Sequence, residues 1–425
     1  MSTHATQRHP WWWIPTLYFA EGLPYMAVMT ISTVMYKCLG IGNTEIAFYT
    51  AWLYLPWVIK PFWSPFVDII RSKRWWVLAM QWAIAIAMAS IAFALPASGF
   101  FQATLALFWL MAFASATHDI AADGFYMLAL TEHQQSLFVG IRSLFYRISM
   151  VVGQGALVVV AAFVSDAWAQ PKAGWIVVFG ILAAFFALMA SYHSFALPRP
   201  GADAMRSPRS RGEVLREFTE TFVAFFRKPQ VGVALTFMLL YRLPEAQLVK
   251  MITPFMLDPT ESGGLGLTPD QVGLVYGTIG VIGLMLGGIV GGLAAARRGL
   301  RYWLHPMAWS MSLTCLTFVY LAVAQPSAIW EIYLCVFVEQ FGYGFGFTAY
   351  MLYLIYFSAG RFKTAHYSIC TGFMALGMML PGMAAGWITD HFSYVAFFIW
   401  TMICCVATIG VCYLIHVDKN FGKKS

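Results

Sequence analysis

Two carboxylates one helical turn apart lie inside an otherwise apolar stretch of the sequence. Asp119 and Asp123 belong to the segment His118-Asp119-Ile120-Ala121-Ala122-Asp123, and the run Phe101–Tyr126 is long and apolar enough to be one membrane-spanning helix. A charge in hydrocarbon is costly, so such residues are usually paired and usually mark an ion or substrate path. The pair therefore predicts transport chemistry.

Two cations follow on the next apolar segment, which begins after a short polar loop. Arg142 and Arg147 face Asp119 and Asp123 as antiparallel neighbours in this interpretation. The functional hypothesis is a charge network that opens or titrates as the protein changes conformation. The alternative is a static ion-pair lock between two helices, and Asp123, nearer the loop, suits that structural role better.

Glu21 is a lone carboxylate in the first apolar run, beside Gly22 and Pro24. Those two residues weaken a helix, so we expect a break that lets backbone groups face a cavity and lets Glu21 bind a proton. The alternative is a salt bridge from Glu21 to Lys60 or Arg142. Glu339 is the corresponding lone acid in the tenth span, with the same alternatives.

Lys60 is a cation among aromatic residues and prolines in the second span, close to Trp57. Together with Tyr25 of the first span it predicts a site for an anionic solute that contains rings, because ammonium pairs with carboxylate and aromatic faces stack on sugars. The alternative is a lysine that reaches the lipid headgroups.

The seventh span carries three more charges around Pro244, where we expect a kink. Arg242 and Glu245 are one turn apart and are expected to neutralise each other. Lys250 is then the freer cation and a candidate substrate contact, while Arg242 and Glu245 join the gating or structural charges.

The elements that position these residues follow from composition. The 425 residues are 60% hydrophobic and 11% charged, against about a quarter charged in soluble proteins. The deficit covers the whole length and predicts a polytopic membrane protein. Reading about twenty apolar residues as one span, we place twelve helices, at 12–36, 44–67, 75–96, 101–127, 138–164, 174–196, 230–256, 270–295, 302–324, 329–357, 365–388 and 394–416.

Most of the 26 lysines and arginines fall in the loops on one side of these spans. The positive-inside rule therefore puts both termini in the cytoplasm. This distribution also explains the net charge of +7 without nucleic acid as a partner. We expect the first span to be retained and not cleaved as a signal peptide.

Several kinds of site are not supported. The seven cysteines, without a CxxC pair, are expected to be buried small hydrophobes. His118 with Asp119 lacks further metal ligands at suitable spacing, so neither a metal nor another cofactor is predicted. Walker and nucleophile-elbow motifs are missing from the sequence, which argues against ATP-driven pumping and against an enzyme.

A polar, basic linker divides the spans into six and six. We place an N-terminal bundle at 1–197, a cytoplasmic linker at 198–228 and a C-terminal bundle at 229–425, with an amphipathic helix at Gly212–Phe226. This layout is that of the major facilitator superfamily. The loop 64–74, with Asp68 followed by basic residues, resembles the superfamily's cytoplasmic motif, in which an acid and basic residues latch neighbouring helices.

Three segments resemble the peptide/acetyl-coenzyme A transporter family, which includes the AmpG-type muropeptide permeases: Tyr18–Tyr25, Ala47–Asp68 and Thr117–Gly124. The resemblance puts Lys60, Asp119 and Asp123 at the family's charged motif positions, with His118 where glutamine is usual. It implies proton-driven movement of bulky anionic solutes, which in bacteria means uptake of anhydro-muropeptides. The extra helices of the best-known muropeptide permeases are not predicted here.

The leading hypothesis is thus a monomeric, proton-coupled symporter of the bacterial inner membrane that imports an anionic sugar-peptide for cell-wall recycling. Glu21, Asp119 or Glu339 would carry the proton, and Lys60, Arg142 or Lys250 would hold substrate carboxylates. One alternative is export of drugs or other amphipathic solutes on the same scaffold. A membrane enzyme or a non-transporting sensor is the other, and it lacks a second catalytic cluster.

Overall fold

The computed structural model describes residues 9–41, 49–50, 52–203, 211–267 and 269–423. Every regular element within these ranges is helical, which confirms the predicted all-α class. The helices before the linker are α1 (Ile14–Met26), α2 (Ser32–Cys38), α3 (Leu55–Ile59), α4 (Ser64–Ile70), α5 (Lys73–Ala94), α6 (Phe100–Ala129), α7 (Glu132–Val151), α8 (Leu157–Ala167) and α9 (Ala173–Ala196).

The linker helix and its successors complete the chain. They are α10 (Arg211–Phe226), α11 (Val231–Leu240), α12 (Leu243–Leu257), α13 (Pro269–Val272), α14 (Val281–Arg298), α15 (Leu300–Leu313), α16 (Leu316–Ala324), α17 (Ile329–Ser358), α18 (Lys363–His391) and α19 (Tyr394–Leu414). Within the described residues, six helical segments are long and apolar enough to cross a membrane, some of them built from adjoining helices: Lys73–Ala94, Phe100–Ala129, Ala173–Ala196, Gly273–Arg298, Leu300–Ala324 and Tyr394–Leu414.

Several predicted spans are built from two helical pieces. A π turn at Ala27–Ile31 joins α1 to α2, and another at Val152–Ala156 joins α7 to α8. In the second span a 3-10 turn, Lys60–Phe62, separates α3 from α4, because Pro61 and Pro65 each lack an amide donor. The break in the seventh span falls at Arg242, two residues before Pro244, where the sequence predicted a kink.

The expected break in the first span lies later than the sequence predicted. α1 runs through both Gly22 and Pro24, and the irregular turn begins only at Ala27. Gly22 serves packing instead, since a Cβ atom there would lie 2.0 Å from Oγ of Ser149 on α7. Glu21 therefore projects from a regular helix that fits closely against its neighbour.

Contacts divide the chain into two compact units. Unit 1 comprises Met1–Ala129, Phe145–Thr221 and Phe362–Ser368, and unit 2 comprises Leu130–Leu144, Phe222–Arg361 and Ile369–Ser425. In unit 1 the long helix α5 packs along both α6 and α9. Their shared core is apolar and includes Ile84, Phe108 and Phe179. The six-plus-six division of the sequence stays a prediction.

Small residues bring helices together in unit 2. α14 lies along α17, and a Cβ atom at Gly287 would meet the carbonyl oxygen of Phe341 at 2.1 Å. From the other side, a Cβ at Gly344 would approach the carbonyl oxygen of Leu284 to 2.2 Å. Glycine is thus required for the close contact of these two backbones, as in other small-residue helix interfaces of membranes.

The linker helix α10 extends over the segment that its apolar spacing predicted. Phe225 is buried, whereas Leu215 is 64% exposed. Glu217 and Thr221 are buried with Phe225, so the inward face is more polar than the sequence pattern indicated. The prediction that the cysteines are buried needs two corrections, because Cys38 is exposed at the end of α2 and Cys335 on α17 is only half-buried.

Candidate functional site

An ion pair joins the second span to the fourth. Nζ of Lys60 lies 3.9 Å from Oδ2 of Asp119, and both side chains are largely buried. The helix break described above delivers Lys60 to this position, because the 3-10 turn begins at Lys60 itself. Nε1 of Trp57 donates a 2.9 Å hydrogen bond to the same carboxylate oxygen. Two donors from one broken span thus meet the first aspartate of the motif.

Aromatic rings border this pair. The ring of Tyr25 meets the ring of Trp57 edge to face, with centroids 5.2 Å apart, and lies 6.4 Å from that of Tyr54. Asp119 and Arg147 are among the charged neighbours of Tyr25. The structure therefore brings together three predicted substrate-contact residues, namely Lys60, Trp57 and Tyr25, at one carboxylate.

The second aspartate has a different environment. Asp123 is buried, and its Oδ1 accepts a 3.2 Å hydrogen bond from the hydroxyl of Tyr18 on α1. Arg147 belongs to the same unit as both aspartates, whereas Arg142 is buried on the part of α7 that belongs to unit 2. Asp123 thus ties α6 to α1, which fits a structural role.

Glu21 joins Asp119 at a cluster that the sequence did not reveal. One side-chain atom each of Glu21, His118 and Asp119 lie within 4.8 Å of one another. Glu21 and His118 are buried, at 7% and 1% exposure. Spacing along the chain could not show this because Glu21 stands on α1 and the other two on α6. The only signal was that all three are polar residues inside apolar runs.

Two further buried polar residues were missed by the sequence reasoning. Gln81 of α5 and His193 of α9 are fully buried and hydrogen-bonded to each other at 3.0 Å. Gln81 also contacts Nε2 of His118 at 3.1 Å. Both could have been chosen as candidates from the sequence, because they are polar residues in apolar helices and a buried polar side chain needs hydrogen-bond partners.

Unit 2 holds a second charged cluster, around the break before Pro244. Arg242 pairs with Glu245 at 2.9 Å, as their spacing predicted. The guanidinium also donates to the hydroxyl of Tyr343 at 2.8 Å and lies over the ring of Phe347. These partners satisfy a buried cation, so the cluster is well suited to hold helices together.

The remaining predicted residues of unit 2 differ in environment. Glu339 is buried and accepts a 2.8 Å hydrogen bond from the side chain of Gln340. Lys250 is exposed on α12. Its ammonium is therefore not held inside unit 2 in the way that Lys60 is held in unit 1.

The predicted latch residue Asp68 connects three segments of unit 1. Its Oδ1 lies 2.5 Å from Nζ of Lys73. Its Oδ2 accepts a 2.9 Å hydrogen bond from the backbone amide of Ala365, in the first turn of α18. A carboxylate at a helix N-terminus is favourable because it meets unsatisfied amides and the positive end of the helix dipole.

Comparison with known proteins places this geometry in a transporter context. A family model described as the BT1 family matches residues 19–422. The anhydromuropeptide permease of Escherichia coli (strain K12) is 23% identical over 401 residues, which cover 91% of this chain and 76% of that protein. The putative transporter AmpG 3 of Rickettsia prowazekii (strain Madrid E) is 22% identical over 388 residues, covering 87% and 88%.

Solved structures establish the fold. The major facilitator superfamily transporter FucP in its outward conformation gives a TM-score of 0.72 at 13% identity, covering 95% of this chain and 98% of that one. The proton:xylose symporter XylE bound to 6-bromo-6-deoxy-D-glucose gives 0.66 at 11% identity, covering 96% and 95%. The predicted major facilitator fold is confirmed, and the residues described above lie within it.

Proposed function

The chain belongs to the BT1 family, and from this membership and the site in unit 1 we propose that it is a proton-coupled symporter that imports anionic sugar-peptides of the anhydro-muropeptide class. That it is a multi-pass membrane transporter and not an enzyme follows from the family, the relatives and the fold. What we propose is its substrate, its coupling ion and the direction of transport.

One observation carries it: the Lys60–Asp119 pair beside aromatic rings. The ammonium of Lys60 is a partner for a substrate carboxylate, and Trp57 and Tyr25 offer ring faces and edges on which sugar rings pack. A relative named anhydromuropeptide permease supports this substrate class, because such a solute combines sugar rings with peptide carboxylates.

Exchange of partners at Asp119 would couple the proton to the substrate. While Asp119 is ionised, it holds the ammonium of Lys60. When Asp119 takes up a proton its attraction for Lys60 falls, and the freed ammonium pairs with the carboxylate of the solute. Proton and anionic substrate thus favour each other's binding, which is the thermodynamic requirement for symport.

Other residues take secondary roles in this proposal. Glu21, within 4.8 Å of Asp119, is a second position for the proton, and Glu339 is its counterpart in unit 2. Arg142 and Lys250 remain predicted substrate contacts. Asp123, Arg147, Asp68, Arg242 and Glu245 are proposed to gate or to stabilise the helices. We propose a monomer in the bacterial inner membrane, with both termini cytoplasmic by the positive-inside rule.

Uptake into proteoliposomes tests the function. Purified protein should accumulate labelled anhydro-muropeptide when the outside is more acidic than the lumen, and accumulation should stop when a protonophore dissipates the gradient. Gradient-independent equilibration would remove the coupling claim, and no uptake under either condition would remove the substrate claim. Protection of cells against unrelated toxic compounds would instead favour the exporter alternative.

A further inference from the structure

A chain of buried hydrogen bonds leads from α1 to His118. Oγ1 of Thr16 contacts Nε2 of His193 at 3.0 Å, and Nδ1 of His193 contacts Oε1 of Gln81 at 3.0 Å. Nε2 of Gln81 then contacts Nε2 of His118 at 3.1 Å. Gln81, His118 and His193 are each at most 1% exposed. Four helices thus contribute to one polar chain in an apolar bundle.

The amide of Gln81 fixes the protonation pattern of both rings. Its NH₂ group only donates, so Nε2 of His118 accepts and the proton of the neutral ring stays on Nδ1. Its carbonyl oxygen only accepts, so Nδ1 of His193 donates and Nε2 of His193 accepts from the hydroxyl of Thr16. Second-partner hydrogen bonds select histidine tautomers in this way at metal and catalytic sites too.

The remaining nitrogen of His118 is available to the carboxylates. Within the described part of the chain, Nδ1 of His118 is buried and has no hydrogen-bond partner. One nitrogen of His118 lies within 4.8 Å of one oxygen of Glu21 and one of Asp119. Because Gln81 occupies Nε2, Nδ1 is the nitrogen left to meet them, directly after a small rotation or through one water molecule.

Other charged and titratable groups surround this cluster. Lys60 pairs with Asp119, and Asp123 is one turn away on the same helix. Tyr146 has Glu21, Asp119, Tyr25 and Arg147 as electrostatic neighbours, and His193 is a neighbour of His118. The ammonium of Lys60 disfavours a metal ion at Asp119. An uncharged hydrogen-bond donor that points at the carboxylates is more compatible with these neighbours than a metal ion is.

We propose that His118 is a positioning residue whose Nδ1–H donates a hydrogen bond to the ionised carboxylate of the Glu21–Asp119 pair, with Gln81 and His193 holding His118 in the required tautomer. This inference rests on the proposed proton coupling. A donor to the charged form stabilises that form, so His118 would set the pH range in which the cluster gains and loses its proton.

The pH profile of gradient-driven uptake tests this role. His118→Leu removes the donor, so the ionised carboxylate is less stable and the midpoint of the profile should move to higher pH by about one unit, equivalent to a tenfold change in proton affinity. His118→Gln keeps an N–H donor, so its midpoint should lie close to the wild-type value. Gln81→Leu removes the hydrogen bond that fixes the tautomer of His118, so it should move the midpoint in the same direction.

Ser115→Ala, on the same buried helix one turn earlier, is the matched control and should keep the wild-type profile. Unchanged midpoints in both His118→Leu and Gln81→Leu would overturn the proposal while leaving proton coupling intact. If His118→Leu does not assemble, Gln81→Leu decides alone. Wild-type protein without gradient-driven uptake would overturn the function itself. Inhibition of the wild type by Zn²⁺ that His118→Gln abolishes would mark a metal site and overturn the donor role.

Discussion

The ammonium of Lys60 lies 3.9 Å from Oδ2 of Asp119, at a point where a 3-10 turn interrupts the second span beside the fourth. Asp119 has a second polar partner, since Nε1 of Trp57 donates a hydrogen bond to the same oxygen. In a mostly apolar surrounding each charge offsets the cost of burying the other, so removal of one leaves the other uncompensated. This mutual dependence leads to the first prediction.

Lys60→Met should reduce uptake by at least about tenfold and lower the melting temperature, because breaking a buried pair leaves an uncompensated charge at a cost of about 3–5 kcal/mol. The double variant Lys60→Met/Asp119→Asn should recover most of the stability but none of the uptake. Thermal unfolding in detergent and proteoliposome uptake measure the two effects. Equal stability of the single and double variants would show that an unpaired Asp119 does not destabilise the protein.

Asp68 joins Lys73 to the first turn of α18, and its loss should weaken that junction. Asp68→Ala removes both interactions and should destabilise the protein by about 1–2 kcal/mol, the usual cost of a lost helix cap. Asp68→Asn keeps an acceptor for Ala365 and should cost less. Asp166→Asn, at an exposed acid near the end of α8, is the control. Identical melting temperatures for Asp68→Ala and this control would contradict the prediction.

Gly287→Ala should disrupt the contact between α14 and α17, since the new Cβ would stand 2.1 Å from a backbone oxygen that cannot rotate away. Overpacking of this kind typically costs about 1–3 kcal/mol. Gly180→Ala, on α9, meets nothing within 4 Å and should be neutral or slightly stabilising. Melting temperatures of the two variants check the contrast, and a stable Gly287→Ala would show that the helices have room to move.

Asp203 gives a pH prediction outside the spans. Its carboxylate accepts hydrogen bonds from the amides of Lys73 and Arg74 at 2.6 and 2.9 Å. Burial nevertheless raises the pKa of Asp203 above its ordinary value, and the hydrogen bonds offset this only in part. The folded state therefore binds the proton more tightly than the unfolded state.

Because the pKa of Asp203 is higher in the folded state than in the unfolded state, protonation of Asp203 stabilises the fold at acidic pH. This stabilisation is lost as the pH rises through the folded-state pKa. Asp203→Asn should remove this pH dependence of the free energy of unfolding. The difference in stability between variant and wild type should therefore change with pH in the acidic range and level off above it. Chemical unfolding at a series of pH values measures the difference. A constant difference would show that Asp203 titrates alike in both states.

Much of the fold could be predicted because its signals are local. Runs of apolar residues, the basic loops and the linker predicted the helical spans, and the all-α class is confirmed. Pro244 predicted the break before α12, and the spacing of Arg242 and Glu245 predicted their ion pair. The break in the first span was misplaced because the sequence does not show that Gly22 packs against Ser149.

The site was only partly predictable, because its contacts join distant parts of the chain. Lys60 and Asp119 were each candidates, but their pairing depends on how the second span bends at Lys60. Spacing gave His118 no partner beyond Asp119. Its contacts with Gln81 and its closeness to Glu21 arise from the packing of α1, α5 and α6, for which a single sequence carries no direct signal.

In the proposed mechanism Asp119 carries the coupling proton, and the Asp119→Asn variant isolates that role. Two assays on the same proteoliposomes are needed: accumulation driven by an inward proton gradient, and counterflow, in which labelled and unlabelled solute exchange without net proton movement. We expect counterflow to persist near the wild-type rate while gradient-driven accumulation falls by at least about tenfold, a loss of about 1.4 kcal/mol or more of coupling. Wild-type accumulation in Asp119→Asn would contradict this role, and so would the loss of counterflow together with accumulation, which would assign Asp119 to a structural lock.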